Sequence, residues 1–572
     1  MLGQGLNPCS NGVRLSNCMD KDELNEKLMT LKEYLEQGKI KFFRGLKVID
    51  SLKKVRYGAD GKVDPSSVDG LVRSLANIVS VMKYQDELRK IPLMEVQAKY
   101  FEILETFFGT PYREMKKYKV TPHEVASSVA SKESIVKAFT VDGENFEKGI
   151  LEFWKTFGPV VEIHVQDLAG LKTIYGGDIF PSYDNNILSK TGLYVDTTVL
   201  PDPMLRVAPF FRDMKPERAV YYLTKHALSA LAIKDLALAD VNPPIAIIAP
   251  DYFPLDENAR SFVQSAAEGD SLTHFETAFG FTCESPKKLD EFLKGLRDVS
   301  VLRNKLKSPE RILFDIEWRD LPFAEQWERA QKKLAEFDKT DFGSAPLGEK
   351  LKFFTVGRMM QTNEIVFKAS RLRGVPLIDA PTSWQYFLWK YEYDQQRSRE
   401  ANPELKNIFL VNALQSEKLA WLGNVPAEAL VKLRSEGVLN ELREVFAKGI
   451  NDIENADENS YEKTVRDVIK NIDDSFNEHR KKLDIQSRKT KTFFGYDVAP
   501  WIVTGGISIA AASTGNIPLS IISAVAGMIG CSSVRELWKN GKEILEQKSK
   551  IQRSPVGILF QAKEKSYVAS GL

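Results

Sequence analysis

Cysteine and histidine are scarce in this chain of 572 residues, which has four of the first and five of the second. The cysteines form no CxxC pair and are too few and too scattered for a disulfide framework, a usage typical of a reducing compartment. No two histidines have the HxxxH or HExxH spacing, which argues against a histidine-rich zinc site. We therefore expect a cytoplasmic protein; its cysteines are Cys9, Cys18, Cys283 and Cys531.

The chain also lacks an excess of either charge, since 79 basic and 78 acidic residues leave a net charge of +1. No global field therefore attracts nucleic acid or a membrane, and any such surface must be local. One candidate is the amphipathic segment 39–56, which contains seven basic residues and only one acidic residue, Asp50. This segment is either a surface for anionic lipid or phosphate, or the solvated face of an ordinary helix.

Charge is missing altogether from residues 498–534, although 27% of the chain is charged. The Gly, Asn and Pro near its middle predict two helical arms, 500–513 and 518–532, joined as a hairpin. At 1.5 Å per residue each arm is about 20–24 Å long, shorter than the roughly 30 Å hydrocarbon core of a bilayer. Basic flanks with Trp501 and Trp538 fit a membrane interface. The hairpin is thus either buried in the protein or inserted at a membrane.

The rest of the chain changes its hydrophobic periodicity twice, which predicts an α/β core with predominantly helical N- and C-terminal regions. Leucines spaced by four, three and four residues begin the first helical region. Short apolar strands between long helices then indicate mainly parallel pairing. We predict a disordered tail at 1–19, a helical region at 20–155, an α/β domain at 156–400, a helical region at 404–495, the apolar helical hairpin at 498–534, and a C-terminal helix and tail at 535–572.

The strands of the α/β domain are predicted from alternating or continuous apolar runs. Residues 160–166 alternate between apolar and polar side chains, and residues 193–200 are rich in β-branched ones. Three shorter apolar runs follow, each bounded by turn residues or by charged residues. They cover residues 245–249, 312–316 and 375–378.

Three aspartates, Asp202, Asp251 and Asp379, follow predicted strands and lie beside prolines. Ligands of open parallel sheets bind beyond the carboxyl ends of the strands, and carboxylates gathered there suit Mg²⁺ or Mn²⁺. The segment LYVDTTVL also resembles the opening strand of PIN-domain ribonucleases, and this resemblance implies metal binding by Asp196, followed by Thr197. The alternative is that Asp and Pro are ordinary turn residues after strands.

Two short segments resemble catalytic or nucleotide-binding motifs, but neither match supports an activity. Residues 269–272 spell GDSL, as in the GDSL esterases, but the preceding residues predict a helix and no DxxH block follows. Residues 343–350 approach a P-loop, but Glu349 occupies the position that requires lysine. No GxGxxG sequence follows a predicted strand, so no dinucleotide fingerprint is present either.

Two classes of function follow. The first is an intracellular interaction or effector protein without cofactors, which binds protein partners. In its membrane branch, the apolar hairpin also attaches the protein peripherally to an anionic membrane surface. A long polar helix that leads to an apolar tip resembles, in hydropathy, the hydrophobic hairpin of pore-forming bacteriocins. The second class is a hydrolase or nuclease that depends on Mg²⁺ or Mn²⁺ held by the strand-end aspartates. Nucleic acid is an expected partner only in this second class.

Overall fold

The chain forms two compact units in the computed structural model, one up to Ile91 and one from Pro92 onward among the described residues. The predicted tail at 1–19 and the predicted C-terminal helix and tail at 535–572 lie outside the described residues. The structure describes residues 21–40, 47–178, 187–193, 195–207, 215–283, 285–335, 345–401, 409–411, 420–422, 425–437, 492–493, 496–497, 502–504 and 508–511.

The first unit, which we call the N-terminal helical unit, contains α1 (Lys21–Glu36), α2 (Lys47–Lys53) and α3 (Gly70–Arg89). The predicted leucine spacing of α1 is confirmed, because Leu24, Leu28 and Leu31 are buried in one core with residues of α3. Asp69 caps α3 by accepting a hydrogen bond from the amide of Val72 at 2.9 Å. The core side chains are Leu24, Leu28, Leu31, Tyr34, Val63, Val68, Val72, Ala76 and Val79.

The second unit contains a six-stranded sheet. In spatial order its strands are β3 (Ala246–Ala249), β2 (Thr197–Pro201), β1 (Lys172–Tyr175), β4 (Val375–Ile378), β10 (Ser508–Ala511) and β5 (Phe409–Val411). The first four strands are parallel, and β10 is antiparallel to both of its neighbours. Two short ribbons pair β6 (Ala420–Leu422) with β9 (Ile502–Thr504) and β7 (Thr492–Phe493) with β8 (Tyr496–Asp497).

Helices surround the parallel strands, so the predicted α/β core with parallel pairing and a strongly helical remainder is confirmed. Between β3 and β4 the chain forms a helical insertion whose buried side chains make an apolar cluster of their own. The helices of this unit are α4 (Leu93–Tyr118), α5 (Pro122–Ala130), α6 (Glu133–Asp167), α7 (Ile187–Thr191), α8 (Pro203–Val207), α9 (Pro216–Ala232), α10 (Lys234–Ala237), α11 (Glu257–Phe279), α12 (Pro286–Lys294), α13 (Val299–Lys305), α14 (Phe323–Ala335), α15 (Leu347–Arg371), α16 (Pro381–Ala401) and α17 (Ala427–Ser435).

Two of the predicted strands are wrong. Residues 160–166 belong to α6, whose buried side chains recur every three or four residues over a longer window than the local alternation covers. Residues 312–316 connect two 3₁₀ turns, and their apolar side chains are buried among helices rather than in the sheet. The strand predictions at 245–249 and 375–378 are confirmed, and that at 193–200 is confirmed from Thr197 onward.

The C-terminal predictions are met only in part. Within 404–495 the structure has α17 as predicted, but it also has β5, β6 and β7. The first arm of the predicted hairpin contains β9 and β10, which are strands rather than helix, because their backbone groups pair with β6 and with β4 and β5. The other residues of 498–534 lie outside the described residues, so the hairpin stays a prediction. None of the described helices combines the length and the apolar character needed to cross a membrane.

Candidate functional site

The direction in which the chain adds strands to the sheet reverses between β1 and β4. The chain moves from β1 to β2 and β3 toward one edge, whereas β4 lies on the other side of β1. In open parallel sheets, ligands bind beyond the carboxyl ends of the strands at such a reversal. We call this place the β1/β4 crevice, and the side chains that define it are Tyr175, Asp178, Arg358, Asp379 and Ser383.

The turn that follows β1 depends on glycine. Gly177 has a φ of +88°, in the left-handed region that other residues rarely adopt. A Cβ atom at this position would lie 2.9 Å from Cγ1 of Ile378, the last residue of β4. Only glycine therefore lets the chain leave β1 so close to the end of the neighbouring strand.

Asp379 follows β4 directly, as the sequence predicts, and is partly buried. The hydroxyl of Tyr175, at the end of β1, donates a hydrogen bond to Oδ2 of Asp379 at 2.9 Å. Burial raises the pKa of this carboxyl group, and the nearby negative charge of Asp178 adds to that effect. Asp379 is therefore an acid whose neutral form is favoured more than that of an ordinary surface aspartate.

Arg358, on α15, bridges the two sides of the β1/β4 crevice. Its Nη1 lies 3.7 Å from Oδ1 of Asp178 and 3.3 Å from Oγ of Ser383, in the first turn of α16. About 24% of the Arg358 side chain is exposed, so the guanidinium group is accessible to a ligand. The next residue of that turn, Trp384, is buried, and its indole N–H has no hydrogen-bond partner among the described residues.

Asp202 lies beyond the end of β2 but points into the protein, where it is fully buried. Its carboxylate accepts hydrogen bonds from the Tyr100 hydroxyl at 2.7 Å, the Met204 amide at 2.8 Å and the Trp154 indole at 2.5 Å. Burial raises its pKa to about 6, although these donors act in the opposite direction. This aspartate joins α4, α6 and α8 to the sheet and is closed off from solvent.

Asp251 lies beyond the end of β3 inside a group that we call the strand-end charge cluster, consisting of Arg206, Asp251, Glu364 and Lys368. Lys368 contacts Asp251 at 2.7 Å and Glu364 at 2.6 Å. Arg206 contacts Glu364 at 2.5 Å and Asp251 at 3.4 Å. Burial alone would raise the pKa of Asp251, but the charges of Lys368 and Arg206 lower it. Two cations thus neutralise two carboxylates within the protein.

Asp196 is placed at the opposite end of the sheet, because it precedes β2 rather than following it. Its carboxylate accepts a hydrogen bond from the Leu171 amide at 2.7 Å, and its carbonyl accepts one from Arg434 of α17 at 2.6 Å. Thr197 donates its hydroxyl to the carbonyl of Pro244 at 2.7 Å. Both residues that carry the resemblance to PIN domains therefore bond to backbone groups.

The four predicted metal ligands are not brought together. Asp196 lies at the amino end of β2, Asp202 bonds to uncharged donors, Asp251 is paired with cations, and only Asp379 faces the β1/β4 crevice. Within the part of the chain that the structure describes, no three Asp, Glu, His or Cys side chains form a group that could hold a metal ion. The metal site stays a prediction, and the arrangement above does not favour it.

The GDSL segment lies within α11, as the sequence predicts. Ser271 is buried and donates its hydroxyl to the Ala267 carbonyl at 2.6 Å. His274, on the same helix, has both ring nitrogens engaged, one with the Tyr393 hydroxyl at 2.8 Å and one with the Arg311 carbonyl at 2.7 Å. Burial lowers the pKa of His274 to about 4, and its two ring nitrogens contact Tyr393 and Arg311 rather than Ser271, so the two residues do not form a nucleophile with its base.

Sequence reasoning missed Asp178, Arg358 and Ser383, as well as the partners of Asp251. Asp178 follows a strand that begins with Lys172 and Thr173, and these two residues give no apolar signal. Arg358 lies on a helix far along the chain from β1, and only the fold brings the two together. The Gly-Gly-Asp sequence after Tyr175 is the signal that sequence reasoning could have used, since strand ends followed by glycine often approach ligands.

Known proteins provide no template for this site: no family model, curated protein or solved structure matches the chain. Its function has to be argued from the residues described above.

Proposed function

We propose that the protein binds a small phosphorylated ligand in the β1/β4 crevice. The observation that supports this most strongly is the reversal of strand order between β1 and β4, with Arg358 reaching residues on both sides. Open parallel sheets bind ligands at such a reversal, and the sheet here is parallel on both sides of it.

The phosphate would lie against Arg358 and the first turn of α16. This helix has 21 residues, and the amides of Thr382 and Ser383 in its first turn have no carbonyl partners within the helix, so they favour an anion. Pro381 has no N–H, and the Trp384 amide donates to the Ala380 carbonyl at 2.9 Å. An arginine beside a helix N-terminus adds a planar donor that suits phosphate oxygens. The contacts of Nη1 of Arg358 are all long, at 3.7 Å to Asp178, 3.4 Å to Gln361 and 3.3 Å to Ser383, so an anion would replace only weak partners.

The rest of the ligand would carry hydroxyl groups. Asp178 follows β1 and Asp379 follows β4, so each side of the crevice has a carboxyl group, and their oxygens accept hydrogen bonds from hydroxyl groups. A nucleotide or a sugar phosphate has this combination of groups.

Isothermal titration calorimetry of the full-length chain tests the proposal, with ADP, glucose 6-phosphate and inorganic phosphate as separate probes in the presence of EDTA. We expect at least one organic phosphate to bind, and Arg358→Ala to weaken it at least tenfold. Arg329→Ala, which removes an exposed arginine of α14 from a pair with Glu325, is the matched control and should change nothing. Failure of all three probes, or equal binding by Arg358→Ala, would contradict the proposal.

A second proposal for the same edge of the sheet is that the protein is a metal-dependent hydrolase or nuclease. Its support is the position of Asp379 beside Asp178, since carboxylate oxygens suit Mg²⁺ or Mn²⁺. Melting of the EDTA-treated protein with and without Mn²⁺ tests it, and Asp379→Asn should abolish any stabilisation. An unchanged melting temperature would argue against the metal site, whatever the calorimetry shows.

Membrane association through residues 498–534 is a proposal about a different part of the chain. Its support is the absence of charge from this segment and the basic flanks on both sides. Flotation with vesicles that contain phosphatidylserine tests it, and a protein that stays at the bottom of the gradient would refute it.

A further inference from the structure

The turn after β1 is bonded to an arginine that comes from the element after β2. Nη2 of Arg206, on α8, donates a hydrogen bond to the main-chain carbonyl of Asp178 at 3.2 Å. The side chain of Asp178 belongs to the β1/β4 crevice, where its Oδ1 lies 3.7 Å from Nη1 of Arg358. Arg206 itself is a member of the strand-end charge cluster. This hydrogen bond therefore joins the cluster to the crevice.

The guanidinium group of Arg206 is held firmly by its other partners. Its Nη1 and Nη2 donate to the two carboxylate oxygens of Glu364 at 2.5 Å and 3.1 Å, and Nη1 also lies 3.4 Å from Asp251. Two parallel hydrogen bonds to one carboxylate fix the plane of a guanidinium group as well as its position. Only 10% of the Arg206 side chain is exposed, so water competes little for these partners. The donor to Asp178 thus has a defined place inside the protein.

The carboxylate that holds Arg206 lies on the helix that also carries Arg358. Glu364 and Arg358 are less than two turns apart on α15. Arg206 therefore connects the helix of Arg358 to the turn of Asp178, and the separation of these two crevice residues depends on a contact outside the crevice. Binding groups that are held in place before the ligand arrives lose less conformational freedom on binding.

We propose that Arg206 is a positioning residue of the β1/β4 crevice, which keeps Asp178 at the distance from Arg358 that the ligand requires. The proposal rests on the proposed binding of a phosphorylated ligand there. Arg206 acts through the Asp178 carbonyl, because its guanidinium group is already bonded to that carbonyl and to Glu364.

Lys368 provides a matched control within the same cluster. It contacts Asp251 at 2.7 Å and Glu364 at 2.6 Å, but among the described residues it has no hydrogen bond or ion pair with Asp178. Lys368→Met removes one buried charge from the cluster. Arg206→Lys keeps the charge but lacks the planar fork that reaches Glu364 and Asp178 together. The two variants therefore separate the stability of the cluster from the geometry of the crevice.

Isothermal titration calorimetry with ADP and with glucose 6-phosphate compares these variants with wild type. We expect Arg206→Lys to weaken binding about fivefold, the effect of one hydrogen bond, and Lys368→Met to leave it within about twofold. Urea unfolding should show the opposite order, because Lys368→Met leaves two buried carboxylates to one cation. Equal dissociation constants for wild type and Arg206→Lys, or an equal loss of affinity in both variants, would overturn the proposal.

Hydrogen exchange of the ligand-free protein tests the positioning directly. Arg206→Lys should accelerate exchange of the Gly177 and Asp178 amides about fivefold, whereas Lys368→Met should leave it as in wild type. Unchanged exchange in Arg206→Lys would overturn the proposal, even if the affinity falls. If wild type binds neither phosphate, the proposed function fails, whereas the exchange comparison still decides whether Arg206 holds the turn.

Discussion

Charged side chains are buried and paired at the carboxyl edge of the parallel strands, whereas apolar side chains face solvent on α3 of the N-terminal helical unit. In the strand-end charge cluster, Asp251 is only 1% exposed and has two cationic partners. In the N-terminal helical unit, Thr30 is the one polar residue that is buried among its described residues. The charges of the first region are paired inside the protein, whereas the exposed apolar side chains of α3 lie outside the core of their own unit.

The contrast between paired and exposed side chains shows which parts of the protein are available to bind a ligand. A cluster whose charges neutralise one another has little affinity left for a metal ion, so it fixes the positions of β3, α8 and α15 instead. The β1/β4 crevice beside it keeps Arg358 and Asp379 partly exposed, and α3 keeps four large apolar side chains exposed, Leu71, Ile78, Val81 and Met82. The partly exposed charged groups of the crevice and the exposed apolar groups of α3 thus belong to separate units.

The largest expected effect comes from breaking the strand-end charge cluster. Glu364→Ala leaves Arg206 and Lys368 to share Asp251, and removal of one partner from a buried ion pair costs about 3–5 kcal/mol of unfolding free energy. Urea unfolding followed by tryptophan fluorescence measures this loss. All eight tryptophans lie after Ile91, so the signal does not come from residues 1–91.

The matched control for this variant is Glu325→Ala. Glu325 pairs with Arg329 at 2.8 Å, but both side chains are more than 40% exposed. Such a pair contributes about 0.2–1 kcal/mol. Equal losses of unfolding free energy in the two variants would show that the ion pairs of the strand-end charge cluster stabilise the protein no more than an exposed pair does.

Local patterns in the sequence predicted much of the fold. The leucine spacing of α1 and the apolar runs of β3 and β4 are signals contained in single elements, and all three are confirmed. The false strand at 160–166 shows the limit, because seven alternating residues within a 35-residue helix imitate a strand. β1 was missed because Lys172 and Thr173 are polar in the sequence, although both are buried in the structure.

The candidate site was less predictable, since its charges are selected by contacts between distant elements. Asp202 and Asp251 look alike in the sequence, as each follows a strand and lies beside a proline. Asp202 bonds to Tyr100 and Trp154, whereas Asp251 bonds to Lys368. These partners lie 48 to 117 positions away in the sequence, so only folding brings them to the two acids. The sequence therefore placed acids at strand ends without showing which of them face solvent.

A smaller effect, in the pH dependence of stability, separates these two buried acids. The pKa of Asp202 is raised to about 6 in the folded chain from an ordinary value of 3.8, so the folded state binds the proton more tightly. Its contribution to stability is present at low pH and is lost as the pH rises through 6. Between pH 4.5 and 7 this amounts to about 2 kcal/mol.

Urea unfolding of wild type and Asp202→Asn at both pH values measures that contribution. The lowered pKa of Asp251 acts in the opposite direction and is common to both proteins, so the difference between them isolates Asp202. We expect wild type to gain more stability than Asp202→Asn when the pH is lowered from 7 to 4.5. The same gain in both would show that Asp202 is not the titrating group.

The smallest effect is expected within the N-terminal helical unit, where Asp69→Ala removes the N-cap of α3. The carboxylate of Asp69 accepts the Val72 amide at 2.9 Å, and loss of such a cap costs about 1 kcal/mol. Hydrogen exchange of the α3 amides should accelerate about fivefold, while the tryptophan-detected unfolding midpoint stays unchanged. Asp298→Ala, which removes the cap of α13 in the second unit, should leave α3 exchange as it is. If Asp69→Ala also lowered the tryptophan midpoint, the two units would unfold as one, and the contrast between them would not extend to their stability.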